Sequence, residues 1–195
     1  MKNFRPGIRK LDRGNKFTKE VLDKLNFICN RIAEKIGKKA YELLQPPDSS
    51  QTITHIEIMA CIQYFFPERL YLFAHSYGSQ GVIRYEKGGS VSMSHSELKI
   101  SPNSCKKILK EICNARISER AAIILAASIE YSIIHIYENA GQNNEKIDAR
   151  ALEEIFASKE DFSELLRKTE IILPGPISCS DPVLYREALH LAFSS

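Results

Sequence analysis

A chain of 195 residues, 44% hydrophobic and 26% charged, is long enough for one large domain or two small ones and too apolar for wholesale disorder. Its formal net charge of +3 is mild but uneven: residues 1–40 hold twelve Lys and Arg against four Asp and Glu, and residues 121–170 hold five against ten. A basic start and an acidic later face point to two kinds of partner, one polyanionic and one cationic. Five cysteines (Cys29, Cys61, Cys105, Cys113 and Cys179) form no CxxC pair, and no charged-then-apolar leader opens the chain, so a reducing, intracellular setting is expected rather than a disulfide scaffold.

In chain order, PGIRKLDRGNKF allows only a short helical piece. Residues 18–45 then carry Leu22, Leu25, Cys29, Ile32, Ile36, Ala40 and Leu43 at steps of three and four, the period of one long helix. Lys24, Arg31, Lys35 and Lys38 fall between them, facing water or phosphate. Pro46-Pro47 stops the helix, since neither residue donates a backbone hydrogen bond. SSQTIT is extended, and Thr54 with Glu57 three positions on has capping-box spacing for a helix reaching Phe66-Pro67. A further amphipathic helix is expected over 67–85, with Leu70, Phe73, Ala74 and Tyr77 on one side, and EKGGSVSMSHSE reads as a flexible joint.

The second half repeats the plan. Ser101-Pro102 begins a short helix. ISERAAIILAASIEYSIIHIYENAG supplies a long one with Gly141 placed to end it, and Asp148 caps a third to about Ala157. KEDFSELLRK, an extended ILPGPISCSDP and a terminal helix around VLYREALHLAF follow. The run AAIILAASIEYSIIHIY contains Glu130 and His135 and is short for a membrane span. It is apolar almost all round, which calls for burial against an element of similar length, and the long helix of the other half is the natural one.

Chemistry-bearing patterns are sparse. His55, His75, His95, His135 and His190 form no HExxH and no Cys/His cluster at zinc spacing. GSQG at 78–81 lacks the GxSxG order, and there is no phosphate loop. Glu153, Glu154, Glu160 and Asp161 would serve as paired acid and base only in a cleft that shifts their pKa values, which a short surface helix does not offer. No catalytic residue, metal site or cofactor is expected, and no enzyme.

The ordered series of motifs resembles the histone fold, and specifically core histones 2B and 2A joined in one chain, as in histone doublets of large DNA viruses. TITHIEIMACIQYFFPE and AHSYGSQGVIRY resemble the third and last helices of histone 2B. LAASIEYSIIHIYENAG and IDARALEEIFASKEDFSELL resemble the central and third helices of histone 2A, both without gaps. The resemblance implies an all-α protein of two tandem histone folds, paired within the molecule as a head-to-tail handshake. Its divisions are a 2B-like fold at 1–87, a linker at 88–101, a 2A-like fold at 102–168 and a docking-type extension with a C-terminal helix at 169–195. A linker near fifteen residues reaches ~45–50 Å when extended.

The function implied is non-sequence-specific binding and compaction of double-stranded DNA in nucleosome-like particles, in the virion and in the host nucleus or cytoplasmic viral factory. The implied partner is a doublet resembling histones 4 and 3, with no membrane. DNA contacts are carried over to Lys19, Arg31, Thr52, Thr54, Lys106, Lys107, Lys110, Arg116, Lys146 and Arg150. Partner binding at an acidic patch falls to Glu130, Glu138, Glu160 and Asp161. Docking onto the partner doublet falls to Tyr71, Phe73, Ile171, Ile172, Leu173 and Ile177. Ser50 and Lys146 stand where the family has arginine, and His135, Lys159, Arg69 and Tyr77 replace patch acids. These departures leave two alternatives open: a histone-fold subunit of a transcription or regulatory complex, and a variant doublet that loosens viral nucleosomes.

Overall fold

The computed structural model describes residues 4–12, 14, 16–44, 51–90, 92–140 and 146–172. Among them, the first half holds α1 (Arg5–Leu11), α2 (Lys19–Leu43), β1 (Thr52–Ile53), α3 (His55–Phe65) and α4 (Glu68–Lys87). A 3-10 turn at Met93–Ser96 leads into α5 (Pro102–Ile112), β2 (Arg116–Ile117), α6 (Glu119–Ala140), α7 (Ala149–Ser158) and α8 (Glu160–Lys168). The VLYREALHLAF segment, Gly141 and the Pro46-Pro47 pair lie outside the described residues.

Local chemistry sets the helix starts. Thr18 accepts from the Val21 amide, Ser101 from Ser104, Ser118 from Ala121 and Asp148 from Ala151, each oxygen satisfying an otherwise unpaired first-turn N–H. At α3 the box is complete: Thr54 Oγ1 accepts from the Ile56 amide, while the Thr54 amide donates to Glu57 Oε2 at 2.7 Å.

The long helices run head to tail. At one end β1 and β2 pair in parallel, Thr52 opposite Arg116 and Ile53 opposite Ile117. At the other, Phe17 bridges Ile147, with the Ile147 amide donating to the Lys16 carbonyl at 2.8 Å and the Thr18 amide to the Ile147 carbonyl at 3.1 Å. The start of α2 therefore sits beside the chain leaving α6, and the start of α6 beside the chain leaving α2. Between these ties, Leu25, Ile28, Cys29 and Ile32 of α2 meet Ile129, Ile133 and Ile136 of α6, with Phe162 and Leu165 of α8 closing the core. The all-α, head-to-tail pairing of two similar halves expected from the sequence is the architecture found.

Every residue of α6 from Ala121 to Glu130 is buried. By length and composition alone this helix would suit a membrane span, yet 72% of its apolar window is buried inside the fold. Much of its cover is α4, whose buried stripe is Leu70, Ala74, Gly78, Gly81 and Tyr85. A Cβ on Gly78 would stand 3.0 Å from Ile124 Cδ1, so the glycine that weakens α4 as an isolated helix lets the two backbones approach. Phe73, expected on the covered side of α4, is 52% exposed instead. The joint between the halves also departs from expectation: Met93, Ser96 and Ile100 are buried, and the segment is packed rather than loose.

Candidate nucleic-acid interface

Each end of the handshake brings together two loops and two helix starts. The first end combines β1 and β2 with the capped starts of α3 and α6. The second combines the Phe17–Ile147 bridge with the capped starts of α2 and α7. First-turn amides not used by a cap point outward with the positive end of the helix dipole, an arrangement suited to phosphate.

A single three-residue device builds all four loops. Lys16-Phe17-Thr18, Thr52-Ile53-Thr54, Arg116-Ile117-Ser118 and Lys146-Ile147-Asp148 each place a polar or basic residue, a buried apolar one and a helix cap in succession. The apolar residue anchors the loop, at 6% exposure for Phe17 and 0% for Ile53. Its predecessor is thereby turned out, and Thr52, Arg116 and Lys146 are exposed. Lys16 holds the same place in its loop, outside the expected set of contacts, but is half-buried with its ammonium over the Tyr137 ring at 5.8 Å. The repeat itself was the signal, but only two of its four copies have a β-branched centre flanked by an obvious polar loop.

The remaining basic candidates divide. Lys19, Lys107 and Lys110 are exposed and form no ion pair among the described residues. Lys106 reaches Glu119 at 3.6 Å, Arg150 reaches Glu154 at 3.1 Å, and Arg31 reaches Glu34 at 2.8 Å. Thr54 is committed to its cap: its hydroxyl donates to Glu57 Oε2 at 2.6 Å, which leaves no donor for phosphate. The helical stripe read as facing water or phosphate is largely consumed internally. Lys24 is buried against Glu153, Lys35 pairs with Glu170, and only Lys38 stays exposed without an ion pair among the described residues.

The four acidic candidates are not equivalent. Glu138 and Glu160 are exposed, and Asp161 is half-buried with His135 Nε2 3.7 Å away. Glu130 is corrected: at 1% exposure it accepts from the Tyr77 hydroxyl and from the Lys99 and Ile100 amides, so it presents nothing to a partner. The face around it is aromatic. Phe73 stacks on Tyr131 at 5.7 Å, and Tyr131 on His135 at 6.1 Å. Burial first, and then the nearby Glu138 charge, raise the Tyr131 pKa above its ordinary value.

Of the docking candidates, Ile171 is corrected as well, being buried in the core; Ile172 is 71% exposed. Tyr71 is half-buried beside His75, and Leu173 and Ile177 lie outside the described residues. Leu43 on α2 and Ile56 and Tyr64 on α3 are exposed apolar residues, which periodicity did not foretell because a helix stripe does not reveal which of its edges is left uncovered.

No protein-family model matches the chain. The chain is similar to a Melbournevirus histone doublet that joins histones 2B and 2A, 29% identical over 158 residues that cover 74% of this chain and 58% of that protein. The chain thus spans somewhat over half the length of that relative.

Proposed function

From its similarity to a viral histone doublet and its two paired histone folds, we propose that the chain is a viral chromatin protein that binds double-stranded DNA without sequence preference. The observation that carries this reading is the fourfold loop device, which sets helix starts beside exposed Thr52, Arg116 and Lys146, with half-buried Lys16 in the fourth loop, at the two ends of one pair. Backbone amides and cations of this kind grip phosphates and read no bases. A duplex spanning both ends is held at two separated points and bends between them, as in the wrapping of DNA by histone octamers. Compaction then requires a second pair, and a doublet resembling histones 4 and 3 is the partner proposed. Exposed Leu43, Ile56 and Tyr64 offer it apolar surface, together with Ile172. The virion and the infected cell's DNA-containing compartments are the locations that follow.

The experiment is reconstitution of the full chain on DNA with such a doublet, followed by nuclease digestion. A discrete protected fragment is the expected result; uniform digestion argues against the reading.

A regulatory-complex subunit that hardly touches DNA is the second reading. The observation in its favour is the internal pairing of Lys24, Arg31 and Lys35. Binding to arbitrary duplex that falls steeply with salt separates the two, since only a packaging protein releases many counterions.

A further inference from the structure

The segment joining the halves is held by a specific set of contacts. Glu130 on α6 takes the Lys99 amide at 2.5 Å and the Ile100 amide at 2.7 Å on Oε2, and the Tyr77 hydroxyl at 2.8 Å on Oε1. A carboxylate this deeply buried is tolerated only with such donors. Ile100 is fully buried beyond it. On the other side of the segment lies α1, whose Gly7 comes so close that a Cβ there would stand 2.6 Å from the Lys99 carbonyl oxygen and 2.8 Å from Ile100 Cδ1. Tyr77 and Gly7 belong to the first half and Glu130 to the second, so residues 97–101 are clamped by both.

We propose that Glu130 is a binding site for a pair of consecutive backbone amides, that residues 97–101 are its resident ligand, and that this strap locks α1 and α4 onto α6. The linker is then a third contact between the halves and not only a tether. The strap also closes Glu130 to outside partners. A cavity of about 280 Å³ leads to the carboxylate, but Lys10 and Lys99 line it beside Glu138, and their charges oppose the entry of a cationic side chain. Partners of the acidic face are left with Glu138, Glu160 and Asp161. The strap stands independently of whether the chain binds DNA.

Amide hydrogen exchange on the full chain tests it. The Lys99 and Ile100 amides are expected to be protected by about 100-fold or more over an unstructured peptide. Glu130→Ala removes the acceptor and Gly7→Ala drives the strap outward without touching it; both abolish the protection while α2 amides keep theirs. Glu130→Gln retains it, because the amide oxygen accepts both N–H groups and its NH2 faces the Tyr77 oxygen. Trypsin should cut after Lys99 in the two released variants and not in the parent. If Glu130→Ala unfolds the chain, Gly7→Ala decides, with retained protection of the α2 amides showing that this variant is folded. Unprotected Lys99 and Ile100 in the parent, or protection that survives Gly7→Ala, overturns the proposal.

Discussion

Lys24 Nζ lies 2.7 Å from Glu153 Oε1, tying α2 to α7 across 129 positions of sequence. The hydrogen bond to Glu153 raises the Lys24 pKa; burial opposes it, and the charges of Glu153 and Glu20 add to the rise. Glu153→Ala leaves the buried ammonium only Glu20 Oε1 at 3.5 Å and is expected to cost about 1 kcal/mol, whereas Lys24→Met fills the same space and costs less. Because the folded pKa is the higher one, the pair's contribution is complete below the ordinary lysine value of 10.5 and fades as pH rises through the folded value. Urea unfolding of parent and Glu153→Ala at neutral pH and in strong alkali reads both effects, with the gap closing in alkali.

Withdrawal of Lys24 from the surface makes it a control for DNA binding. Arg116→Ala with Lys146→Ala removes one outward cation from each end of the handshake. The slope of log affinity against log salt is expected to become shallower by about 0.9 per lost phosphate contact, on any duplex. Lys24→Met leaves the slope unchanged. Equal slopes for parent and double variant would remove the loop ends from the interface.

Thr54 separates capping from phosphate contact. Its loss to alanine is expected to destabilise by about 1 kcal/mol without altering the salt slope. Burial works against the charged Glu57 carboxylate, but hydrogen bonds from the Thr54 hydroxyl and amide outweigh it and hold the Glu57 pKa below 4.5. The Glu57 half of the cap therefore stabilises above that value and is lost as pH falls through the folded one. Thermal melts of parent and Thr54→Ala should draw closer in acid, the remaining gap being the bond from the Ile56 amide to Thr54.

The buried thiols should report opening of the core. Burial pushes Cys29 and Cys61 up to about 12 and Cys113 to about 11, and raises Cys105 further still. In a Cys179→Ser background, all four are expected to resist a thiol-selective disulfide reagent near pH 8 until the fold opens, and to react promptly in urea. Fast labelling of Cys29 in the native chain would contradict the packed α2–α6 contact.

Much of this was readable in advance, for reasons that differ by element. The long helix expected over 18–45 is Lys19–Leu43, because its apolar stripe is continuous and a pair of prolines follows it in the sequence. Asp148 and Thr54 cap the helices assigned to them, since a capping oxygen acts within three residues. Contacts that close over long separations were not legible. Glu130 has the same spelling whether it faces a partner or binds Lys99 and Ile100, and Lys24 resembles any solvated lysine until Glu153 is folded against it. The loose reading of EKGGSVSMSHSE came from composition, which weighs small polar residues and cannot see that Met93 and Ser96 are buried.

The parallel ties at Phe17–Ile147 and Ile53–Ile117 have a consequence for biosynthesis. Each joins a loop of one half to a loop of the other, so neither half can complete its own backbone pairing. During translation, at about 5–20 residues per second, the leading half waits several seconds with bare strand edges and an uncovered α2 until its mate emerges. During that interval the leading half presents the same unpaired loops and apolar flank to a chaperone or to a neighbouring nascent chain as it later presents to its own mate.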